Sequence, residues 1–269
     1  MIWLASFPRS GNTFCRNLFY DVYGLESTSF PIERNSDKSK KYRILKTHVP
    51  YENAVGLKDD DLVICLVRDG RDAITSNAKY RKNFIEPRSK LKSNIDHGIV
   101  SPRGAHFGGW SKNVNSWIER ADLIIRFEEL IKDPLHFLKK IEAKTDLPEA
   151  DYSKIKTFSQ LKYGAPRYGS GGQKTKGSTH SKKFFNKGKV GQWKEVFSGK
   201  QHKLFWLFHG EQMKMMGYGK DGDILPVDFT KTSFDHNPSD RLKWLKKYHE
   251  ARVLLNSAFQ KTLRVLKLT

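Results

Sequence analysis

Ile2-Trp3-Leu4-Ala5-Ser6-Phe7-Pro8-Arg9-Ser10-Gly11-Asn12-Thr13-Phe14 is the stretch that decides the fold. An apolar run leads into a loop of small and cationic residues, and a stripe of Phe14, Leu18, Phe19 and Val22 at helical spacing follows. Strand, loop and helix in that order aim backbone N–H groups and a helix N-terminus at one point, the geometry of a phosphate loop. In the kinase-type loop a Lys stands directly before the Ser/Thr that holds magnesium. Here Gly11 and Thr13 occupy the matching places, but Asn12 replaces that Lys and Arg9 supplies a cation from inside the loop. A nucleotide loop is therefore expected at Arg9, Ser10, Gly11, Asn12 and Thr13, and an ordinary ATP-hydrolysing loop is not. The competing reading is a plain structural turn rich in small residues.

Working outward, short apolar runs alternate with helical patterns, which predicts βαβ units and a parallel sheet. The predicted strands are Ile2–Phe7, Arg43–Thr47, Leu62–Val67 and Leu123–Phe127. The third is continuously apolar, as suits a strand covered on both faces. Trp110, Val114 and Trp117 make a second helical stripe, and Leu135–Ala143 makes another after Asp133-Pro134. Arg81–Ala105 and the Gly- and Lys-rich Tyr163–Lys189 read as long mobile loops. No repeat or composition break divides the chain. The fold class expected is thus α/β, one domain over 1–269, with a central parallel β-sheet flanked by helices.

The chain has 269 residues with 49 Lys+Arg against 29 Asp+Glu, a formal charge of +20. Between Lys162 and Lys203 there are eleven Lys/Arg and one acid, and from Arg241 to Thr269 eight and one. Such a balance points to an anionic partner: nucleotide, nucleic acid, acidic glycan or membrane surface. No run approaches the roughly 18–20 apolar residues of a spanning helix, and the N-terminal apolar run is too short for a signal segment. With only Cys15 and Cys65, a disulfide scaffold is excluded and a reducing, cytoplasmic location is expected. No His/Asp/Glu cluster has metal-ligand spacing, so no metal is expected.

Two further motifs carry chemistry. Lys46-Thr47-His48 closes the second predicted strand, and ligands in open α/β sheets bind beyond the carboxyl ends of strands. A His and a Lys arriving there together can supply a general base and a cation for developing negative charge. Arg68-Asp69-Gly70-Arg71-Asp72-Ala73-Ile74-Thr75-Ser76 follows the most apolar strand. An arginine and a hydroxyl at one strand–helix junction suit a phosphate, while a simple Arg68–Asp72 ion pair is the alternative.

These motifs in this order resemble the sulfotransferases that use 3′-phosphoadenosine 5′-phosphosulfate. The resemblance continues in Gly109-Trp110-Ser111 with Trp117, in Phe127-Glu128-Glu129-Leu130-Ile131-Lys132-Asp133-Pro134 and in Lys187-Gly188-Lys189-Val190-Gly191-Gln192-Trp193-Lys194, and so spans roughly residues 2 to 200. It implies the P-loop nucleotide-hydrolase-like fold of that family, with Arg9 through Thr13 around the 5′-phosphosulfate. It implies that Lys46 helps to neutralise the sulfuryl group, as Arg9 does, and that His48 takes the acceptor's proton. Arg68 and Ser76 would bind the 3′-phosphate, Phe14 and Phe158 would face the adenine, and Lys187-Gly188 would return to the 3′-phosphate. The product would be adenosine 3′,5′-bisphosphate (PAP).

The sequence departs from the family pattern in three places. Arg9 stands for a catalytic lysine of the cytosolic enzymes, Phe127 for a tyrosine, and Asn186 for an arginine. Two rival classes compete: a basic nucleic-acid-binding protein on a nucleotide-loop scaffold, and a small-metabolite kinase, the latter opposed by Asn12. The basic residues match no nucleic-acid reader motif, so no nucleic-acid partner is expected. The acceptor expected is a small molecule or a glycan, leaning to an acidic one because of the excess cations. The segment Arg241–Thr269 is amphipathic, with core packing, a second subunit or an anionic membrane face as its possible contacts.

Overall fold

The computed structural model describes residues 1–30, 42–164, 166–169, 188–229 and 240–265. Its strands are β1 (Ile2–Ser6), β2 (Ser27–Ser29), β3 (Ile44–Thr47), β4 (Leu62–Val67) and β5 (Leu123–Arg126). They form one sheet in the order β2-β3-β1-β4-β5, and every pairing is parallel. β1 is central, with Ile2 opposite Ile44 on one side and Leu62 on the other. Its five residues are all buried, as are the last five of β4, which is why Ile2–Ala5 and Leu62–Val67 read as uninterrupted apolar runs. The sequence predicted four strands; the added β2 is a three-residue polar edge strand, too short and too polar to carry a period-two signal.

The chain divides into two compact units, Met1–Arg68 with Ser116–Val190 and Asp69–Asn115 with Gly191–Thr269. The first holds the sheet, α1 (Asn12–Tyr23), α5 (Phe127–Lys132), α6 (Pro134–Glu142) and α7 (Phe158–Tyr163), after α2 (Gly70–Tyr80), α3 (Leu91–Val100) and α4 (Trp110–Ile118) in chain numbering. α1 stops at Gly24, whose φ of 67° is the left-handed value glycine adopts without strain. α6 starts with Asp133 accepting from the His136 N–H and Pro134 at the first helical position. Trp3, Phe19, Phe137 and Trp117 fill this unit's core, and the Trp117 indole N–H donates to the Val49 carbonyl at 2.9 Å.

The second unit contains α2, α3, α8 (Gly199–Met215) and α9 (Asp240–Val265). α8 opens with a capping box, Ser198 and Gln201 each satisfying the other's backbone N–H. Gly70 lets α2 approach the rest of the unit, since a Cβ there would lie 2.7 Å from the Trp110 ring and 2.9 Å from Phe205. The expectation of a loop at Arg81–Ala105 is corrected: α3 occupies Leu91–Val100, buries Ile95, Ile99 and Val100, and packs against α2, α8 and α9. Leu91, Ile95 and Ile99 recur every fourth residue, a helical signal hidden among polar neighbours. Among the described residues no helix is long and apolar enough to cross a membrane.

Candidate active site

Parallel register brings the carboxyl ends of β1, β3 and β4 to one edge of the sheet, where Ala5 faces Thr47 and Ser6 faces Leu66. The loop 7–11, His48 and Arg68 leave the sheet at that edge. Arg9 has φ 70°, a left-handed value that costs a non-glycine residue energy and marks a loop held by its surroundings. Gly11 has φ 103°, and a Cβ there would sit 2.5 Å from Phe127 Cδ2. Glycine is required twice over, by conformation and by space.

α1 has no side-chain cap and no acid in its first turn, so its leading N–H groups face the loop without an internal anion. Ser10 Oγ is buried without a hydrogen-bond partner, as is Asn12 Oδ1. Asn12 Nδ2 is used elsewhere, donating to Ser6 Oγ at 2.8 Å and to the Leu4 carbonyl at 3.2 Å. The residue that replaces the kinase-type lysine thus locks the loop onto β1 and onto the neighbour of His48.

His48 Nδ1 lies 2.8 Å from the Ser6 carbonyl oxygen and 3.3 Å from Ser6 Oγ. A carbonyl can only accept, so Nδ1 carries the proton and Nε2 bears the lone pair. Burial, seconded by the Lys46 cation, lowers the His48 pKa to about 3 against the pull of its Ser6 bond, so the ring is neutral at physiological pH. Lys46 is itself lowered to about 8, by burial first and then by Arg16 and Arg9. Burial and the neighbouring like charges of Arg16 and Arg9 thus both disfavour the charged form of Lys46.

Arg16 is a member of that set which the sequence reading missed. Its Nε donates to Ser27 Oγ at 2.6 Å, and its guanidinium lies 4.0 Å from the centre of the Tyr168 ring. Burial lowers its pKa, partly offset by Tyr168. A cation one turn into α1 is the signal that could have found it. Asn17, also on α1, pairs in both directions with the Tyr168 backbone, at 3.0 and 2.9 Å, and fastens the start of the Gly-rich segment.

Arg68 donates from Nη1 to the Arg9 carbonyl at 3.1 Å and from Nη2 to the Lys189 carbonyl at 3.3 Å. Its guanidinium lies over Phe127 at 4.6 Å. It therefore ties the early loop to the late Lys189 segment. Phe14 and Phe158 stack on each other, 5.9 Å apart and 17° from parallel, and make one aromatic wall that Phe127 meets edge-on. Gly188, at φ 56°, passes so near Phe158 that a Cβ would lie 2.8 Å from its ring. Lys187 and Asn186 lie outside the described residues.

Within the second unit, Ser76 is buried in α2. Asp72, the other half of the alternative ion pair, is also buried there and accepts from the Gly191 N–H at 2.7 Å and the Trp193 N–H at 2.9 Å. Arg71 is enclosed by Asp69 and the Gly219 and Lys220 carbonyls, with its guanidinium 4.0 Å from the centre of the Trp193 ring. Among the described residues no group of three or more His, Cys, Asp or Glu side chains could hold a metal ion.

The sulfotransferase domain model matches residues 24–217, and the chain belongs to the sulfotransferase family. It is an enzyme of that class. It is 22% identical over 250 residues to cytosolic sulfotransferase 1 of Danio rerio, covering 79% of this chain and 82% of the relative. It is 28% identical over 195 residues to sulfotransferase 1B1 of Mus musculus, covering 65% and 62%. Among solved structures it is similar to mouse sulfotransferase SULT7A1 complexed with PAP, with a TM-score of 0.61 and 26% identity over 79% of this chain and 84% of the other. Retinol dehydratase in complex with androsterone and inactive cofactor PAP shares the fold, at TM-score 0.56 and 16% identity over 79% and 80%. The loop 6–13 precedes the matched stretch.

Proposed function

We propose that this protein transfers the sulfuryl group of 3′-phosphoadenosine 5′-phosphosulfate to a hydroxyl or amine of an acceptor, with His48 as general base. The observation that carries this reading is an uncapped helix N-terminus after Gly11 together with a neutral His48, its lone pair on Nε2, that has Lys46, Arg9 and Arg16 as its charged neighbours. The buried Ser10 hydroxyl, unpaired within the protein, and the Phe14–Phe158 wall fit the phosphates and the base of such a nucleotide. Bound there, the nucleotide supplies an activated sulfuryl group. His48 Nε2 accepts the acceptor's proton as the new bond to sulfur forms. Arg9, Lys46 and the N–H groups of Gly11 to Thr13 stabilise the charge left on the bridging oxygen as its bond to sulfur breaks.

Arg68 is assigned to the 3′-phosphate, with Ser76, Lys187 and Gly188 as the further contacts that the sequence resemblance implies. Phe14 and Phe158 are assigned to adenine as one wall. The family match runs through both units and supports reading 1–269 as one domain. The acceptor class is a small molecule or glycan, favoured as acidic by the charge of +20. The cytosolic relative and the two cysteines, both free, support a reducing location such as the cytoplasm.

The experiment is transfer of labelled sulfuryl to a panel of hydroxyl and amine acceptors by the wild type and His48→Ala. Loss of about two to four orders of magnitude in kcat, with PAP affinity nearly intact, is expected. Near-wild-type kcat in the variant would remove His48 from the chemistry.

A further inference from the structure

α9 (Asp240–Val265) carries a surface that sulfuryl transfer does not use. One side of it packs within the second unit: Val253 is buried, the His249 ring meets Phe208 at 6.4 Å, and Glu250 accepts from the Arg103 N–H at 2.6 Å. On another side Trp244, Tyr248, Leu255 and Phe259 are 64, 53, 71 and 62% exposed. At about 100° per residue these four fall within an arc of roughly 60°. They form a continuous aromatic and aliphatic stripe on which Trp244 and Tyr248 stack 6.0 Å apart. Isolated exposed apolar residues are ordinary, whereas a stripe of large ones along a single helix face is not.

Cations border the stripe. Exposed Lys247 lies roughly 60° beyond one margin, with Lys243 further round on the same side, and exposed Arg252 lies roughly 20° beyond the other. Between Asp240 and Val265 the sequence has seven Lys/Arg against two acids. Beside Arg252, α3, α8 and α9 enclose a pocket of ≈270 Å³ lined by Lys92, Lys200 and Arg252, whose single acid, Asp96, is engaged by Gln201 Nε2 at 2.8 Å. Trp and Tyr at the apolar–polar border, with Lys/Arg reaching outward beside them, is the composition of a helix lying in a membrane interface.

We propose that this face of α9 docks the enzyme on an anionic lipid bilayer. In that arrangement the stripe enters the headgroup–acyl boundary, while the bordering cations and the pocket engage phosphate headgroups. A second copy of the chain fits this face poorly, because apposing two such helices would align their Lys/Arg margins. The helix lies on the bilayer and does not cross it, in keeping with its interrupted hydropathy.

The test is sedimentation of the full-length protein with vesicles of phosphatidylcholine alone and of phosphatidylcholine mixed with phosphatidylglycerol. Binding should favour the anionic vesicles by about tenfold or more and weaken steeply with added salt. The double substitution Leu255→Glu with Phe259→Glu should lower that binding by at least about tenfold, leaving the melting temperature and PAP affinity unchanged. Lys247→Glu should weaken binding to anionic vesicles only. No binding to either vesicle, equal binding to both, or an unaffected double variant would overturn the proposal. So would a concentration-dependent dimer that the same double variant abolishes, since the stripe would then be a self-association face.

Discussion

Replacing Asp72 by Ala removes both acceptors that fix the backbone at Gly191 and Trp193. The two bonds, 2.7 and 2.9 Å long, join a buried carboxylate to main-chain N–H groups. Each charge-assisted bond is worth about 1.5–3 kcal/mol, and a buried N–H left without an acceptor is the larger part of that cost. Gly191 is half-buried and water can replace its partner, whereas the Trp193 N–H is enclosed. The acid also lies in the first turn of α2 and favours its dipole, a contribution of about 0.3–1 kcal/mol. Together these give an expected loss of about 2–5 kcal/mol in urea unfolding with an unchanged slope. Amide exchange at Gly191 and Trp193 should accelerate most. Because the chain runs from Gly191 back to Lys189 and Gly188, PAP affinity should fall as well. A variant within about 0.5 kcal/mol of wild type, with both amides still protected, would show that Asp72 does not hold this segment.

Gly11→Ala should cost about 2–5 kcal/mol, from a left-handed Cβ and from overpacking against Phe127. Gly24→Ala, at φ 67° with nothing within 4 Å, should cost only the conformational part, about 1 kcal/mol; equal losses in urea unfolding would remove the Phe127 contact from the explanation. Lys46 titrates near 8 because burial and neighbouring cations disfavour its charge. Its folded pKa lies below the unfolded one, so between about 8 and the ordinary lysine value the unfolded chain holds more protons and this group's contribution to stability rises with pH. An anion at the site reverses the bias, so PAP affinity should fall as pH rises above about 8, with proton uptake seen as a buffer-dependent binding enthalpy. Lys46→Met should abolish that dependence; a pH-independent wild type would contradict it.

Those parts of the fold that bury continuous apolar runs were legible in the sequence. β1 and β4 announce themselves because parallel strands covered on both faces have no polar positions. The loop at Arg9 to Thr13 was legible because it joins such a strand to an amphipathic helix. β2 was not, being a short polar edge held by pairing to β3. α3 was not, because its apolar residues are diluted by Lys92, Ser93, Asn94 and Asp96. Lys46 and His48 were found through their place at a strand end, but the Ser6 bond that selects the His48 tautomer requires β1 and β3 to be side by side. Arg16 and Asp72 act through partners far along the chain, Tyr168 and Gly191, which no local pattern connects. Asn12, by position a nucleotide contact, has its amide nitrogen committed to β1.

The proposed function requires the loop, the cations and Arg68 together to recognise a 3′-phosphorylated adenine nucleotide. Calorimetric titration with PAP, with adenosine 5′-monophosphate and with magnesium–ATP tests it directly. PAP should bind about 10- to 100-fold more tightly than the monophosphate, and Arg68→Ala should erase most of that difference. Equal affinities for PAP and the monophosphate, or a preference for magnesium–ATP, would contradict it.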